Sequence, residues 1–395
     1  MSAIVTAAVS CRNTRRLIPG AVITAPTNLP LSGMAHSISC LAGPLQMTHR
    51  RIRRLHSSPI PATHSDTGAP WLTCPRPVAP CPPYQPNQKQ KPSNQHQRKR
   101  PVMADLTPTI ARRKPDPVPA IFPLPERDAT GERLEMYEDT KAVLQVPWMG
   151  VVTMAFSHYP TFYRTLWQGL RPLCASAEFV AACADLRDVT EAAIADQPSL
   201  LQQFRDMGYG PVEIDQINAM IEIFSHGNMP YILIATAARL LLEGHEIGTG
   251  SSVTPNTTTH GPEPLTKLVL MERHHGNAGI HALYDDIEAT LGLPFVNTDY
   301  RALARWPSYF DAAWGALRDQ VDTPDHTAAV ATVHAKTVSL IESLPNPNGL
   351  TSAALIAAAE ADGAKEQITD TVRLFQWLLP GLLVNVAIFQ AQMQG

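Results

Sequence analysis

The chain has 395 residues, 44% hydrophobic and 17% charged, with a net charge of −3, the balance of an ordinary soluble protein. That average hides a break. Residues 1–102 carry 13 Lys/Arg and one acidic residue, Asp66, for +12, whereas the remainder carries 19 basic and 34 acidic residues, for −15, which excludes a compositionally uniform protein.

The first hundred residues also hold 15 of the 36 prolines and four of the six cysteines. Runs such as Pro75 to Pro86 cannot sustain a helix or a central strand, and the polar, basic tract Gln88 to Arg100 cannot bury a core. A disordered, basic, Pro-rich extension is therefore expected over residues 1–115. It reads as text upstream of a start at Met103, in preference to a targeting segment or a functional tail. In the tail reading, Arg50, Arg51, Arg53 and Arg54 with Arg98-Lys99-Arg100 would touch nucleic acid or another anionic surface. Cys74 and Cys81 resemble half a metal site but have no partner pair at ligand spacing. The apolar runs are short and broken by Arg and Pro, which is not the pattern of a secretory signal.

From about Glu126 the period becomes 3.6 residues, and an all-α fold is expected. Ile214, Ile217, Met220, Ile221 and Phe224 share one helical face, as do Ile368, Val372, Phe375 and Leu379. Pro198 and Pro324 stand where first helical positions would be, the latter behind a capping Thr323. The longest apolar stretch, Leu374 to Phe389, contains Gln376, Pro380 and Asn385 and reads as a buried helix, so no membrane partner is expected.

A duplication organises this part. Met136–Arg171 laid over Leu283–Arg318, at an offset of 147, gives 10 identities in 36 positions, among them Tyr137/Tyr284, Asp139/Asp286, Pro147/Pro294, Trp167/Trp314 and Arg171/Arg318. A weaker match at an offset of 151 places Phe224 over Phe375. The reading is two tandem helical repeats, 125–245 and 265–395, joined by a Gly/Ser/Thr-rich linker at 246–264. They would pack as an intramolecular pseudo-dimer around a shared cleft, one catalytic domain in all.

The repeat also locates what is asymmetric. Asp299 lies over Val152 and Asn228 over Leu379, each polar in one half and apolar in the other, so the scaffold keeps one polar pair, which implies one site. Two structural readings stand beside this: Asn-Thr-Asp at 297–299 is good capping chemistry, and Asn228 after Gly227 suits a loop or cap.

At these residues the sequence resembles the group I 2-haloacid dehalogenases, the α-helical family acting on D- or on both D- and L-2-haloacids. The matching motifs are YEDTKAVLQVPW at 137–148, IFSHGNMPY at 223–231 and TDYRALARWP at 298–307; the likeness spans most of 125–395 and none of the first hundred residues. The resemblance implies that Asp299 is the catalytic carboxylate and Asn228 its partner in holding the hydrolytic water, with direct attack, no ester intermediate and inversion at C2. It implies a substrate carboxylate near Val146-Pro147-Trp148 and Thr298, with Pro147 read as starting a helix whose free N–H groups bind the anion. Trp148, Val151 and Phe375 would line the pocket, though Trp148 and Phe375 also read as core. Asn297 resembles the D-specific members, which points to the (R) enantiomer; a DL-acting enzyme is the alternative, as is a non-catalytic carboxylate-binding protein on the same scaffold.

His274, His275 and His281 lack a carboxylate at helical spacing, and the family uses neither metal nor cofactor. Gly248-Thr249-Gly250 lacks the third glycine of a dinucleotide fingerprint, and Cys174 and Cys183 lack CxxC spacing. So few cysteines in the folded part suit a reducing cytoplasm. The expectation is a cytoplasmic homodimeric hydrolase of short 2-haloalkanoic acids, serving detoxification, that binds no nucleic acid.

Overall fold

A computed structural model describes residues 107–395 apart from 195 and 249, and the expectations for residues 1–106 lie outside the described residues. Among the described residues twelve α-helices follow in order: α1 Glu132–Leu144, α2 Val151–Phe156, α3 Pro160–Cys174, α4 Ala177–Ala193, α5 Leu201–Asp206, α6 Pro211–Leu242, α7 Ala278–Leu291, α8 Thr298–Leu303, α9 Pro307–Arg318, α10 Pro324–Ser343, α11 Ser352–Ala361 and α12 Lys365–Gln392. Among the described residues no strand forms beyond one bridge between Ser176 and Pro255, so the fold is all-α.

Local chemistry sets most boundaries. Thr323 caps α10 by accepting from the His326 N–H, with Pro324 in the first turn as its missing donor allows. Pro198 does not behave the same way: α5 begins only at Leu201. The Leu200 N–H instead donates to the Gln392 carbonyl at 2.8 Å, which holds the preceding segment extended against the end of α12. α12 is long and apolar enough to cross a membrane, but most of its apolar length is buried against the rest of the protein. α6 is buried on every face from Gly227 onward, the pattern of a central helix rather than an amphipathic surface one.

The two stretches aligned at an offset of 147 share local features. α2 and α8 fall at equivalent positions, and α1 and α7 both end on a left-handed residue, Gln145 (φ 51°) and Gly292 (φ 61°). Trp167 donates to Asp139 and Trp314 to Asp286, both at 2.8 Å. Tyr137 donates to the Leu124 carbonyl and Tyr284 to the Met271 carbonyl. Lys141 pairs with Glu126 at 2.7 Å, and at the equivalent place Glu288 pairs with Arg273 at 2.9 Å: one ion pair kept with its charges exchanged. α6 packs along α12 and α4 against α10, while α8 lies on α6 and α2 on α12.

The disordered extension expected to reach residue 115 is corrected at its end. Ile110 is buried, and its carbonyl meets His334 Nε2 at 2.8 Å. The Ala111 carbonyl accepts from Arg239 Nη2, and Arg112 Nε donates to the Trp377 carbonyl. These partners lie over a hundred residues away in sequence, so local composition gives no sign of them. The linker is likewise pinned: the Ala177 N–H donates to Thr254, and Gln145 Oε1 accepts from both His260 and Gly261 N–H groups.

Candidate active site

α8 is only six residues long, and its inward face is fixed by Tyr300. That ring sits against Phe310, Trp314 and Phe389 at centroid distances of 5.8–6.2 Å, and its hydroxyl accepts from Asn385 Nδ2 at 2.9 Å. Its neighbour Asp299, at the second helical position, therefore turns toward α6, where Asn228 Nδ2 donates to Asp299 Oδ1 at 2.6 Å. Asp299 is 3% exposed and Asn228 4%. The capping readings do not describe either residue: Asn228 lies in the middle of a 32-residue helix, and Asp299 spends its carboxylate on Asn228.

Burial pushes the Asp299 carboxyl up to about 6, against the downward pull of the Asn228 donor, its own backbone N–H and the Arg301 charge. It is thus ionised for the most part at neutral pH, yet far more basic than a solvated carboxylate. One carboxylate oxygen is held by Asn228, leaving the other oxygen and the Asn228 amide oxygen as hydrogen-bond acceptors toward the cleft.

That cleft has a volume of about 900 Å³, and Trp148, Val151, Asn228, Asn297, Thr298, Asp299 and Phe375 all line it. Val152 and Leu379, which the repeat places over Asp299 and Asn228, line it too. Phe375 is 2% exposed and packs edge-on to Phe156, so it is core and wall at once. Asn297 leaves its buried amide oxygen without a partner.

The expected helix start at Pro147 is corrected. Pro147 is exposed and lies in a turn, and α2 begins at Val151. The cause is Trp148, whose ring is buried edge-on to Phe224 and Tyr231, 5.1 and 5.9 Å away. Burying it draws 148–150 into an extended run, Gly150 having ψ 141°, before a helix can begin. The N–H groups just after Pro147 are consumed: Met149 donates to Glu126 Oε1 and Gly150 to the Tyr231 hydroxyl. The first-turn amides of α2 and α8, both of which border the cleft, have no partner within their helices.

Sequence reasoning missed two residues that shape this wall, although both stand inside the IFSHGNMPY motif. The Tyr231 hydroxyl donates to the Trp148 carbonyl and accepts from Gly150 N–H, each at 2.9 Å, clamping the turn. Gly227 leaves room for the Trp148 ring, which any Cβ there would strike. Arg301 was also passed over: it pairs with Glu272 at 2.7 Å, donates to Thr298 Oγ1, and keeps a buried Nε without a partner on the cleft. Cys174 and Cys183 are pushed upward by burial and sit as inert thiols. Among the described residues, no group of three His, Cys, Asp or Glu is placed to hold a metal ion.

Among the described residues, which are helical, a buried carboxylate–amide pair on a largely apolar cleft is suited to activating a water, and comparison with known proteins gives the class. Residues 147–276 match the family described as halocarboxylic acid dehydrogenase DehI. The chain is 42% identical to an (R)-2-haloacid dehalogenase of Rhizobium sp. (strain NHG3), over 60% of this chain and 93% of that protein. It is 34% identical to an (R)-2-haloacid dehalogenase of Pseudomonas putida, over 69% and 92%. A solved structure of a D-2-haloacid dehalogenase mutant with D-2-CPA superimposes with a TM-score of 0.65 and 32% identity, covering 70% of this chain and 97% of that one. The chain belongs to the group I D-2-haloacid dehalogenases and is a hydrolase acting on carbon–halide bonds.

Proposed function

We propose that the protein hydrolyses (R)-2-haloalkanoic acids to 2-hydroxy acids by direct attack of water, with inversion at C2. The observation that carries this reading is the buried 2.6 Å Asn228–Asp299 pair, made where α6 meets α8, whereas Val152 and Leu379 stand at the equivalent positions of α2 and α12. A water held between the free Asp299 oxygen and the Asn228 amide oxygen gives up a proton to Asp299 as its oxygen bonds to C2. The carbon–halogen bond breaks on the opposite side, halide leaves, and Asp299 later returns the proton to solvent. The substrate carboxylate is held by first-turn amides of α2 and the Thr298 N–H of α8, which have no partner within their helices, beside Trp148. Asn297 restricts the substrate to the orientation of the (R) enantiomer.

We further read the two copies as a pseudo-dimer. The support is that equivalent helices pack on each other, α6 on α12 and α4 on α10, while α8 on α6 is answered by α2 on α12. A homodimer of the whole chain in a reducing cytoplasm, where Cys174 and Cys183 stay thiols, completes the reading.

The test is halide release from each enantiomer of 2-chloropropionate, by the parent chain and by Asp299→Asn. Release from the (R) enantiomer alone, lost in Asp299→Asn, is expected; equal release from both would end the (R) specificity, and release from neither would end the dehalogenase reading. A single turnover in ¹⁸O water should put label in the product first, and label on Asp299 would overturn direct attack.

A further inference from the structure

We infer that the cleft is built for 2-haloalkanoic acids with alkyl chains well beyond the methyl group of a halopropanoate, roughly hexanoic acid and its neighbours; this rests on the dehalogenase reading above. Phe375, Leu378, Leu379 and Leu382 all line the cleft. They stand at i, i+3, i+4 and i+7 of α12, one continuous apolar stripe about 10 Å long at 1.5 Å rise per residue. Val152 and Met154 of α2 border the same cleft.

Size and symmetry point the same way. A volume of about 900 Å³ stands at the upper end of the roughly 300–1,000 Å³ that serves drug-sized ligands. A 2-halopropanoate has six non-hydrogen atoms and would leave most of the cleft along the stripe unfilled. The duplication makes two half-sites, but only one carries the carboxylate–amide pair; at the other, Val152 and Leu379 leave an apolar half-site with no chemistry to perform. A hydrocarbon tail is what that surface recognises, because it offers contact area and no polar partner. Each methylene removed from water onto the stripe should tighten binding about three- to fourfold.

The experiment uses the full chain and the (R)-2-bromo derivatives of propanoic, butanoic, hexanoic and octanoic acids, with halide release as readout. We expect kcat/KM to rise about threefold per methylene up to hexanoate, carried by KM, giving a hexanoate-to-propanoate ratio of about thirty. In Leu382→Gln, which puts an amide on the stripe, that ratio should fall severalfold whatever the absolute rates. A parent ratio at or below one, or a ratio unmoved by Leu382→Gln, overturns the inference while leaving the dehalogenase reading intact. Should propanoate itself release no halide, calorimetric binding of 2-hydroxyhexanoate against 2-hydroxypropanoate still decides: tighter binding of the longer acid upholds the stripe, and equal binding rejects it.

Discussion

Asp299→Asn should stabilise the protein while abolishing halide release, and the two effects should have a common origin. The substitution keeps the shape of the side chain and an oxygen that accepts from Asn228 Nδ2, and removes only the charge. Burial raises the carboxyl from 3.8 to about 6 in the folded protein. At about 1.4 kcal/mol per pH unit, the folded state bears a cost of about 3 kcal/mol for keeping that charge once both states are ionised. The sign follows from linkage. Below about pH 4 the folded protein holds the group neutral and the cost is absent; it grows as pH rises from about 4 to about 6 and is constant above. The variant should therefore melt higher than the parent at pH 7.5, by on the order of 5–10 °C, with the gap shrinking toward zero near pH 4. Parallel thermal melts across that range provide the assay. A variant no more stable than the parent at pH 7.5, or a gain that does not change with pH, would refute a desolvated carboxylate at this position and with it the poised base.

Three further outcomes follow from the same geometry. The rate constant kcat/KM should be flat above about pH 6 and fall tenfold per pH unit below it, as Asp299 takes up its proton; in Asn228→Ala, which removes a donor to the charged form, the break should move upward. Gly227→Ala should lose stability and raise KM, because the added methyl meets the Trp148 ring. Overpacking of about 1–3 kcal/mol there outweighs the gain of about 1 kcal/mol in helix propensity, so urea midpoints should fall, and a rise would contradict the packing argument. Tyr231→Phe should cost about 1–3 kcal/mol by leaving the Gly150 N–H and the Trp148 carbonyl without their hydroxyl; unchanged urea unfolding would show the clamp to be idle.

How much of this was legible in the sequence depends on whether the cause is local or distant. The match between the two stretches was visible because Trp167/Trp314 and Asp139/Asp286 are identities, and each tryptophan donates to its aspartate at 2.8 Å. The exchanged pair, Lys141–Glu126 against Glu288–Arg273, escaped because position-by-position identity scores it as two mismatches. Asp299 and Asn228 stood out through their asymmetry between the aligned stretches, and their roles came from the motifs at 298–307 and 223–231. The start of α2 was misplaced because Pro147 is a good first helical residue in isolation, while the burial of Trp148 under Phe224 and Tyr231 decides otherwise. Residues 107–115 were misread for the same reason: His334, Arg239 and Trp377 satisfy their backbone from far along the chain.

The basicity of Asp299 is itself a product of assembly. Its helix, α8, belongs to the second copy, and the helix that buries it and supplies Asn228, α6, belongs to the first. Neither copy alone brings the two side chains together, so an isolated second copy would leave Asp299 without this partner and closer to the value of a solvated carboxylate. The symmetric contact, α2 against α12, encloses the same cleft with Val152 and Leu379 and needs no charge to be buried there. Losing the polar pair on one side spares the fold a second cost of about 3 kcal/mol of the kind assigned to Asp299. The buried charge is thus confined to the α6–α8 contact, and the α2–α12 contact is left as apolar wall of the same cleft.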